Sequence, residues 1–111
     1  MARRAYYKNW GVPASVVMVV TSVCADYTRR DKALRSCSMN AAVLEHLQSL
    51  NAIVDTALED IEPAIRKDII NDITYGRGYN KSACSLILAK DTYYRRRRKL
   101  IYDIAIAMRL I

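Results

Sequence analysis

Apolar residues recur along this chain with the period of an α-helix. Pro13 suits the first turn of a helix, where its missing N–H costs nothing. The apolar positions that follow it at helical spacing are Val16, Val17, Val20, Cys24 and Tyr27. The β-branched run 16–21 is also compatible with a strand. Because the pattern continues through 26–35 without a turn signal, it favours a first helix over a strand.

A second apolar stripe predicts a helix after a short connection at 36–40. Ser38 or Asn40 can cap its first turn through a side-chain oxygen. The stripe consists of Val43, Leu47, Leu50, Val54, Ala57 and Ile61. Its spacing is close to a heptad, so it suits either a face packed on the core or the seam of a homodimer. The stripe is too short to make a strong coiled coil, which favours the core face.

Proline and glycine divide the rest of the chain. Pro63 predicts the start of a third helix, and Gly76 or Gly78 can take the left-handed conformation at its end. The apolar face of this helix holds Ile65, Ile69, Ile70 and Ile73. A short helix over 81–88, a turn at Ala89-Lys90 and a long helix over 91–110 follow. With only 3 glycines and 2 prolines in 111 residues, a few helices are favoured over many short strands.

These elements predict an all-α fold of four to five helices with a C-terminal helix-turn-helix, in one compact domain. The domain comprises a basic N-terminal arm (1–12), an N-terminal helical part (13–61) and a helix-turn-helix part (62–111). The arm could reach a DNA minor groove or phosphates, but disorder is the commoner state of such a terminus. The apolar run 12–25 also suits a signal peptide; its polar interruptions and helical phase favour a core helix.

Charge lies in three blocks along the chain. Residues 1–40 carry a balance of +5, residues 41–75 a balance of −5 and residues 76–111 a balance of +7, which together make the net charge of +7. A solvated surface is one explanation of a basic segment. The concentration of cations in the last block instead indicates a polyanion bound by the C-terminal part.

The cysteines and the single histidine do not form a recognisable site. Cys24, Cys37 and Cys84 are odd in number and widely spaced, and His46 has no cysteine at zinc-finger spacing. We therefore predict no disulfide framework, no metal, no cofactor and no enzymatic role. Cys24 and Cys84 lie among apolar residues and are expected to be reduced core side chains in a cytoplasmic protein.

The long C-terminal helix carries the candidate chemistry. A helix that enters a DNA groove needs a basic and polar N-terminal half, and an apolar face that holds it on the core. Projected at 3.6 residues per turn, one side of 91–111 holds Ile101, Ile104, Ala105 and Met108. The opposite side holds Thr92, Arg95, Arg96 and Lys99. This is the division expected of a recognition helix.

Individual roles follow from side-chain chemistry. Arg95 and Arg96 have the donor fork for bidentate guanine readout, whereas Lys99 suits a phosphate. Arg98 lies at the edge of the face and can reach a phosphate, and Thr92 lies in the first turn, where N–H groups also meet phosphate oxygens. The predicted DNA-binding residues are Lys81, Lys90, Thr92, Arg95, Arg96, Arg98 and Lys99.

The alternative for the basic run 95–99 is a solvated helix face. Such a face normally carries interleaved acids for i,i+4 pairing, and this run has none. Arg97 points toward the apolar side, so we expect it to extend its stem along the core or to pair with Asp68 or Asp72. Beyond Tyr102 the helix is apolar nearly all round and must be covered by the first helix or by a second chain; the first helix is favoured.

The C-terminal part resembles a known family. The similarity is carried by Ile69-Ile70-Asn71-Asp72-Ile73 through Gly78-Tyr79 and by Thr92-Tyr93-Tyr94-Arg95-Arg96-Arg97-Arg98-Lys99-Leu100-Ile101. These stretches resemble the phage-encoded late transcriptional regulators of Gram-positive bacteria, the RinA and ArpU group, which are similar to region four of sigma factors. Ala89 departs from the small capping residue usual before the recognition helix, and residues 1–60 match no part of that family.

The resemblance implies sequence-specific binding to double-stranded DNA, activation of phage or prophage genes in the cytoplasm of a bacterial host, and contact with host RNA polymerase. The expected protein is thus a non-enzymatic transcriptional regulator that is not in the membrane. Three alternatives remain open at this point. They are a small terminase-type DNA packaging subunit that forms a large ring, a protein-interaction module that binds an acidic host protein, and an RNA-binding protein that stacks bases on tyrosines.

Overall fold

The computed structural model describes residues 11–36 and 40–111. Within these ranges the backbone is helical, with no strand, so the predicted all-α class is confirmed. The α-helices are α1 (Ala14–Ala25), α2 (Tyr27–Ser36), α3 (Ala41–Leu58), α4 (Arg66–Tyr75) and α5 (Lys90–Ala107). Short 3₁₀ turns lie at Pro63–Ile65, Tyr79–Lys81 and Ala83–Leu86.

The predicted first helix is interrupted at one residue. Asp26 has a φ of −92° and a ψ of 1°, outside α-helical geometry, and it separates α1 from α2. Hydrogen bonds still cross the interruption, because the Asp26 N–H donates to Ser22 O and the Arg30 N–H donates to Asp26 O. The side chain of Asp26 also pairs with Arg29 and lies 3.8 Å from Arg30. The chain therefore continues in helical phase with a single local turn.

The second predicted helix is α3. Its cap is Asn40, whose side-chain oxygen accepts from the Val43 N–H at 3.0 Å; the alternative cap, Ser38, lies outside the described residues. The predicted stripe lies mainly on the core side, with Leu47, Val54 and Ala57 buried, whereas Val43 in the first turn is exposed. The core-face interpretation of the stripe is therefore correct for most of its length.

The core lies where α1, α3, α4 and α5 meet. α1 packs against α4 and α5, and α3 packs against α2 and α5. Two of the 3₁₀ turns, at Tyr79–Lys81 and Ala83–Leu86, lie between α4 and α5. The buried apolar residues of this core are Val12, Val17, Val20, Cys24, Val54, Ala57, Ile61, Ile65, Ile69, Ile70, Ile73, Cys84, Tyr93, Leu100, Ile101, Ile104 and Ala105. Each of the three predicted parts of the domain contributes to this core, the arm through Val12. Residues 1–10 lie outside the described ranges.

The first helix is a core helix, as its phase predicted. Val17, Val20 and Cys24 are buried, and Val12, which the predicted arm included, is buried as well. The described part of the arm is therefore anchored at its end, and residues 1–10 lie outside the described ranges. None of the described helices has both the length and the apolar composition needed to cross a lipid bilayer.

A polar cluster that the sequence did not indicate joins α2 to α3. Arg30 is buried; its Nε donates to Asn51 Oδ1 at 2.6 Å and its Nη2 donates to Val23 O at 2.6 Å. Asn51 in turn donates to Tyr27 O at 3.4 Å. A buried guanidinium needs such partners because it cannot lose its charge. Arg30 is thus a structural residue of this helix pair.

The prediction of an α-helix over 81–88 is wrong. The backbone instead forms two 3₁₀ turns separated by Ser82, which has extended dihedral angles (φ −92°, ψ 142°). Ser82 is buried and its hydroxyl accepts from the Cys84 N–H at 3.0 Å. Serine competes for nearby backbone N–H groups in this way, and this local bond replaces the helical path.

The last helix begins and ends close to its predicted bounds. It starts one residue earlier, at Lys90, and Ala89 precedes it without a side-chain cap. It ends at Ala107 rather than at 110, where Arg109 takes a left-handed conformation with φ 58° and the Leu110 N–H donates to Ala105 O at 2.9 Å. These contacts form a helix end of the kind that glycine usually supplies.

The apolar end of α5 is covered on one side only. α1 and α3 both pack against α5, and Ile104 and Ala105 are buried. Tyr102 and Ile106 remain exposed. The buried side of this segment therefore belongs to the core that α5 shares with α1 and α3, and the opposite side, at Tyr102 and Ile106, is exposed.

We expect Gly76→Ala to destabilise the fold. Gly76 has φ 67° and ends α4, where the Arg77 N–H donates to Asp72 O at 2.8 Å. A Cβ there meets no atom within 4 Å, so the cost comes from the backbone alone. The loss of stability should be about 1 kcal/mol, because the left-handed backbone conformation is unfavourable for a residue with a Cβ. Chemical denaturation measures this, with Gly76→Asn as the control because Asn tolerates that conformation better; equal stability of the two variants would contradict it.

We expect the Cys24 thiol to be chemically inert in the folded protein and to make the free energy of unfolding fall at alkaline pH. Burial, opposed in part by Arg30 and Arg97, raises its pKa from 9.0 to about 12. The unfolded thiol ionises first, so stability is fully present below about pH 9 and is lost as the pH rises toward 12. Iodoacetamide labelling followed by peptide mass mapping should modify Cys24 only in denaturant. A Cys24→Ala variant should lose stability less steeply above pH 9, and an identical slope would contradict this assignment.

Candidate nucleic-acid interface

The two halves of α5 have different environments. In the second half Leu100, Ile101, Ile104 and Ala105 are buried and hold the helix on the core. In the first half, 90–99, only Tyr93 is buried. The helix has 18 residues and is therefore about 27 Å long, so roughly half of that length presents its polar side to solvent.

Tyr93 joins this exposed half to α4. Its hydroxyl donates to Asp72 Oδ2 at 2.9 Å, and both side chains are buried, Asp72 with 1% of its surface exposed. Burial, together with a smaller contribution from the hydrogen bond to Asp72, raises the pKa of Tyr93 to about 12. The phenol is therefore a neutral donor at physiological pH, as the bond to a carboxylate requires.

Two further tyrosines surround this link. The ring of Tyr93 meets Tyr79 edge-on at 5.4 Å between centroids and Tyr94 at 5.0 Å. The Tyr79 hydroxyl donates to Leu88 O at 2.6 Å, and the Tyr79 N–H donates to Tyr94 Oη at 3.3 Å. The tyrosines thus tie the two 3₁₀ turns over 79–86, here called the 3₁₀ segment, to the start of α5. They are structural here, which leaves fewer of them for stacking on RNA bases.

Arg97 points inward, as its helical position predicted, but its partners differ from those expected. Its Nη1 donates to Tyr93 Oη at 3.1 Å and to Arg77 O at 2.7 Å. It makes no ion pair with Asp68 or Asp72 among the described residues; the Tyr93 hydroxyl stands between Arg97 and Asp72. Of the two alternatives expected for Arg97, the direct pair is therefore wrong, whereas a stem that extends along the core agrees with its partial burial.

Two of the predicted DNA-binding cations are paired within the chain. Arg96 Nε donates to Glu62 Oε1 at 2.7 Å, and Lys99 Nζ lies 2.9 Å from Asp103 Oδ2 and 3.3 Å from Asp60 Oδ2. A hydrogen bond to Asp103 and a smaller contribution from the hydrogen bond to Asp60 raise the pKa of Lys99. The acids of the α3–α4 connection therefore lie along one edge of α5, which no local sequence pattern could indicate.

The remaining predicted site residues divide by exposure. Lys81, Lys90 and Arg95 are exposed and make no ion pair within the described ranges. Thr92 and Arg98 are half-buried. We call Lys81, Lys90 and Arg95 the open cations. They lie on the 3₁₀ segment and on the first half of α5, at the end of the helix that Tyr93 anchors.

The N-terminus of α5 has N–H groups available to an outside acceptor. Ala89 is the N-cap and offers no side-chain oxygen. The first full backbone bond of the helix runs from the Tyr93 N–H to Ala89 O at 2.9 Å. The preceding N–H groups therefore lack a helical partner, and phosphate oxygens are good acceptors for such groups. Asp91 in the same turn opposes an anion there, although it favours the helix dipole.

Two exposed apolar residues beside this terminus were not singled out from the sequence. Leu86 ends the second 3₁₀ turn and Ile87 follows it, with 89% and 58% of their surfaces exposed. Their alternation with the buried Cys84 and the partly buried Leu88 resembles an ordinary core pattern, so the sequence alone offered no signal. Exposed apolar side chains that adjoin one another are candidates for a contact surface, whereas singly exposed ones are ordinary.

The described residues show no alternative site of obvious chemistry. No three histidine, cysteine or carboxylate side chains in 11–36 and 40–111 come together as metal ligands. An open groove of about 490 Å³ lies between α3 and α5. Its lining includes Ile53 and Ala57 and the Lys99 ion pairs with Asp60 and Asp103. The charged groups of that groove, Lys99, Asp60 and Asp103, are paired with one another and leave one net negative charge.

Comparison with known proteins identifies no relative: no protein family model, no curated protein and no solved structure matches this chain. The arrangement of side chains on α5 is therefore the basis for any statement about function.

We expect Tyr93→Phe to destabilise the protein by about 1–3 kcal/mol, because it leaves the buried Asp72 carboxylate and Arg97 without their shared partner. Denaturant unfolding measures the loss. Tyr102→Phe is the matched control, since Tyr102 is exposed and should change stability by less than about 0.5 kcal/mol. If the two variants are equally stable, the Tyr93 hydroxyl does not join α4 to α5 as described.

Proposed function

We propose that this chain is a sequence-specific, double-stranded DNA-binding transcriptional regulator. In this proposal α4, the 3₁₀ segment and α5 act as a helix-turn-helix, with α5 as the recognition helix. The observation that carries the proposal is the first half of α5. This half is basic, exposes Arg95 and Lys90, and is anchored through the buried Tyr93 and the apolar second half.

The dimensions of α5 support this use. The major groove of B-DNA is about 12 Å wide and accepts an α-helix. Because burial in the first half is confined to Tyr93, one side of that half is free to enter a groove while the rest of the domain stays outside it. Two 3₁₀ turns stand in place of the expected helix over 81–88, and the order of the elements is unchanged.

The open cations have distinct roles in this proposal. Arg95 carries a planar donor fork that can pair with guanine O6 and N7. Lys90 and Lys81 are point charges that suit phosphates on the flanking backbone. The unpaired N–H groups at the start of α5 suit a phosphate oxygen, and the Thr92 hydroxyl lies beside them.

The resemblance to the RinA and ArpU regulators supports a narrower version of the proposal. It implies that the protein activates phage or prophage genes in a bacterial cytoplasm and contacts host RNA polymerase. The absence of a side-chain cap at Ala89 departs from that family. In this chain the Tyr79, Tyr93 and Tyr94 contacts fix the start of α5 instead.

A protein-interaction module for an acidic partner is the second candidate. The exposed pair Leu86 and Ile87 favours it, because these side chains lie next to basic residues and offer apolar area that DNA contacts use only in part. Such a module would bind DNA weakly and without base preference. DNA binding is preferred because the open cations lie on and next to an anchored helix whose first half exposes Lys90 and Arg95.

Selection from random duplex DNA, followed by sequencing, tests the proposal. An enriched motif whose affinity falls steeply with salt is the expected result. A motif that is an inverted repeat would indicate a homodimer, with half-sites about one helical turn apart. Salt-sensitive binding without a motif, together with a large ring in solution, would favour a packaging subunit. No binding at low salt would overturn DNA binding and favour the protein-interaction module.

We expect Arg95→Ala and Lys90→Ala to weaken binding to the selected duplex in different ways. Arg95→Ala should cost about 1–3 kcal/mol and relax the preference at one base pair, because it removes the donor fork. Lys90→Ala should weaken all duplexes alike and reduce the salt slope by about 1, because it removes one phosphate contact. Titrations against single-base variants of the selected site measure both. Equal, sequence-independent losses would contradict base readout by Arg95.

A further inference from the structure

Arg96 is held by an acid on a rigid segment. Its Nε donates to Glu62 Oε1 at 2.7 Å, and the two side chains are 32% and 42% exposed. Glu62 precedes Pro63, which restricts its backbone, and it lies between the buried Ile61 and Ile65. The carboxylate therefore extends from a fixed point of the α3–α4 connection toward α5.

A further contact stiffens the same connection. Arg66 Nε donates to Ile61 O at 2.8 Å, and its Nη2 donates to Glu59 O at 3.1 Å. The backbone on the N-terminal side of Glu62 is thus tied to the first turn of α4. An acid on such a segment holds its partner in one place, whereas an acid on a loose loop would follow its partner.

The bond to Glu62 leaves the readout end of Arg96 open. A guanidinium has five N–H donors, and Glu62 accepts the one on Nε. The two terminal nitrogens make no hydrogen bond within the described residues, and together they can form the bidentate fork that reads guanine. A paired arginine of this kind remains competent to bind a base.

The ion pairs of Lys99 leave much less of its charge available to a ligand. Its single ammonium group is shared between Asp103 and Asp60 at 2.9 and 3.3 Å. An ammonium acts on a phosphate as a point charge, and two adjacent carboxylates offset that charge. The two acids of the α3–α4 connection therefore have different effects. Asp60 offsets the charge of Lys99, whereas Glu62 orients the guanidinium of Arg96.

We propose that Glu62 is a positioning residue that holds Arg96 in the orientation for base readout. This inference rests on the proposed DNA-binding function and deepens it by adding a specificity determinant outside the recognition helix. An arginine that is already ordered loses less side-chain freedom on binding, so both affinity and discrimination at its base pair benefit. The carboxylate also repels phosphates nearby, which lowers affinity for all duplexes by the same factor.

A set of variants separates positioning from charge. Glu62→Ala removes both the orienting bond and the charge, and Glu62→Asp keeps the charge but withdraws the carboxylate by one methylene. Asp60→Ala is the matched control, because it removes one charge from the same connection without touching Arg96. Each variant, with Arg96→Ala and the Glu62→Ala/Arg96→Ala double variant, is titrated against the wild-type-selected duplex and its single-base variants. Circular dichroism and thermal unfolding confirm that each is folded.

The expected result is a loss of discrimination at one base pair. Glu62→Ala and Glu62→Asp should each reduce it roughly 2- to 12-fold, the range for ordering one long side chain. The affected base pair should be the one whose preference Arg96→Ala abolishes, and the double variant should lose no more than Arg96→Ala alone. Asp60→Ala should raise affinity for every duplex and leave the preferences unchanged.

Three results would overturn the inference. If Glu62→Ala strengthens binding to all duplexes equally, as Asp60→Ala does, the acid only competes with DNA. If Glu62→Asp retains full discrimination, charge rather than orientation matters. If Arg96→Ala leaves every base preference intact, Arg96 reads no base. Each leaves the selected motif and the proposed function standing, whereas a selection without any motif overturns both together.

Discussion

The hydrogen bond between the Tyr93 hydroxyl and the Asp72 carboxylate joins α4 to α5, and the geometry of the candidate interface depends on it. Both groups lie where water cannot replace a lost partner, so the bond and the surrounding core form together. Arg97 completes the link by donating to the same hydroxyl and to Arg77 O. Since Tyr93 is the one buried residue in the first half of α5, this network decides how that half is presented.

The second feature that shapes the interface is the acidic α3–α4 connection. It divides a run of adjacent cations into three environments, because successive helical residues face different neighbours. Arg97 faces the core, Arg96 and Lys99 face Glu62 and Asp60, and Arg95 faces solvent. The cations of the basic run therefore have different environments, and the net charge of the run is larger than the charge that is available to bind a ligand.

Local signals predicted most of the helices. Period and proline placement predicted α1 and α3, Asn40 has the side chain that caps a helix, and Gly76 takes the left-handed angle that ends α4. The 81–88 segment was predicted wrongly because Ser82 binds the Cys84 N–H and leaves helical geometry, a choice that its burial supports. Arg30 was not singled out, because a buried arginine depends on Asn51, 21 positions away in sequence.

The sequence by itself determined the all-α class, the order of the helices, and the side of α5 that packs on the core, because each follows from spacing within one segment. It also indicated that a basic helix lies near the C-terminus. Only the tertiary structure decided that Arg96 is paired and that Asp60 adds to the local pair of Lys99 with Asp103, since Glu62 and Asp60 lie more than 30 positions before their partners. The physical reason is that charge pairing depends on distance in space, and packing of α3, α4 and α5 sets that distance.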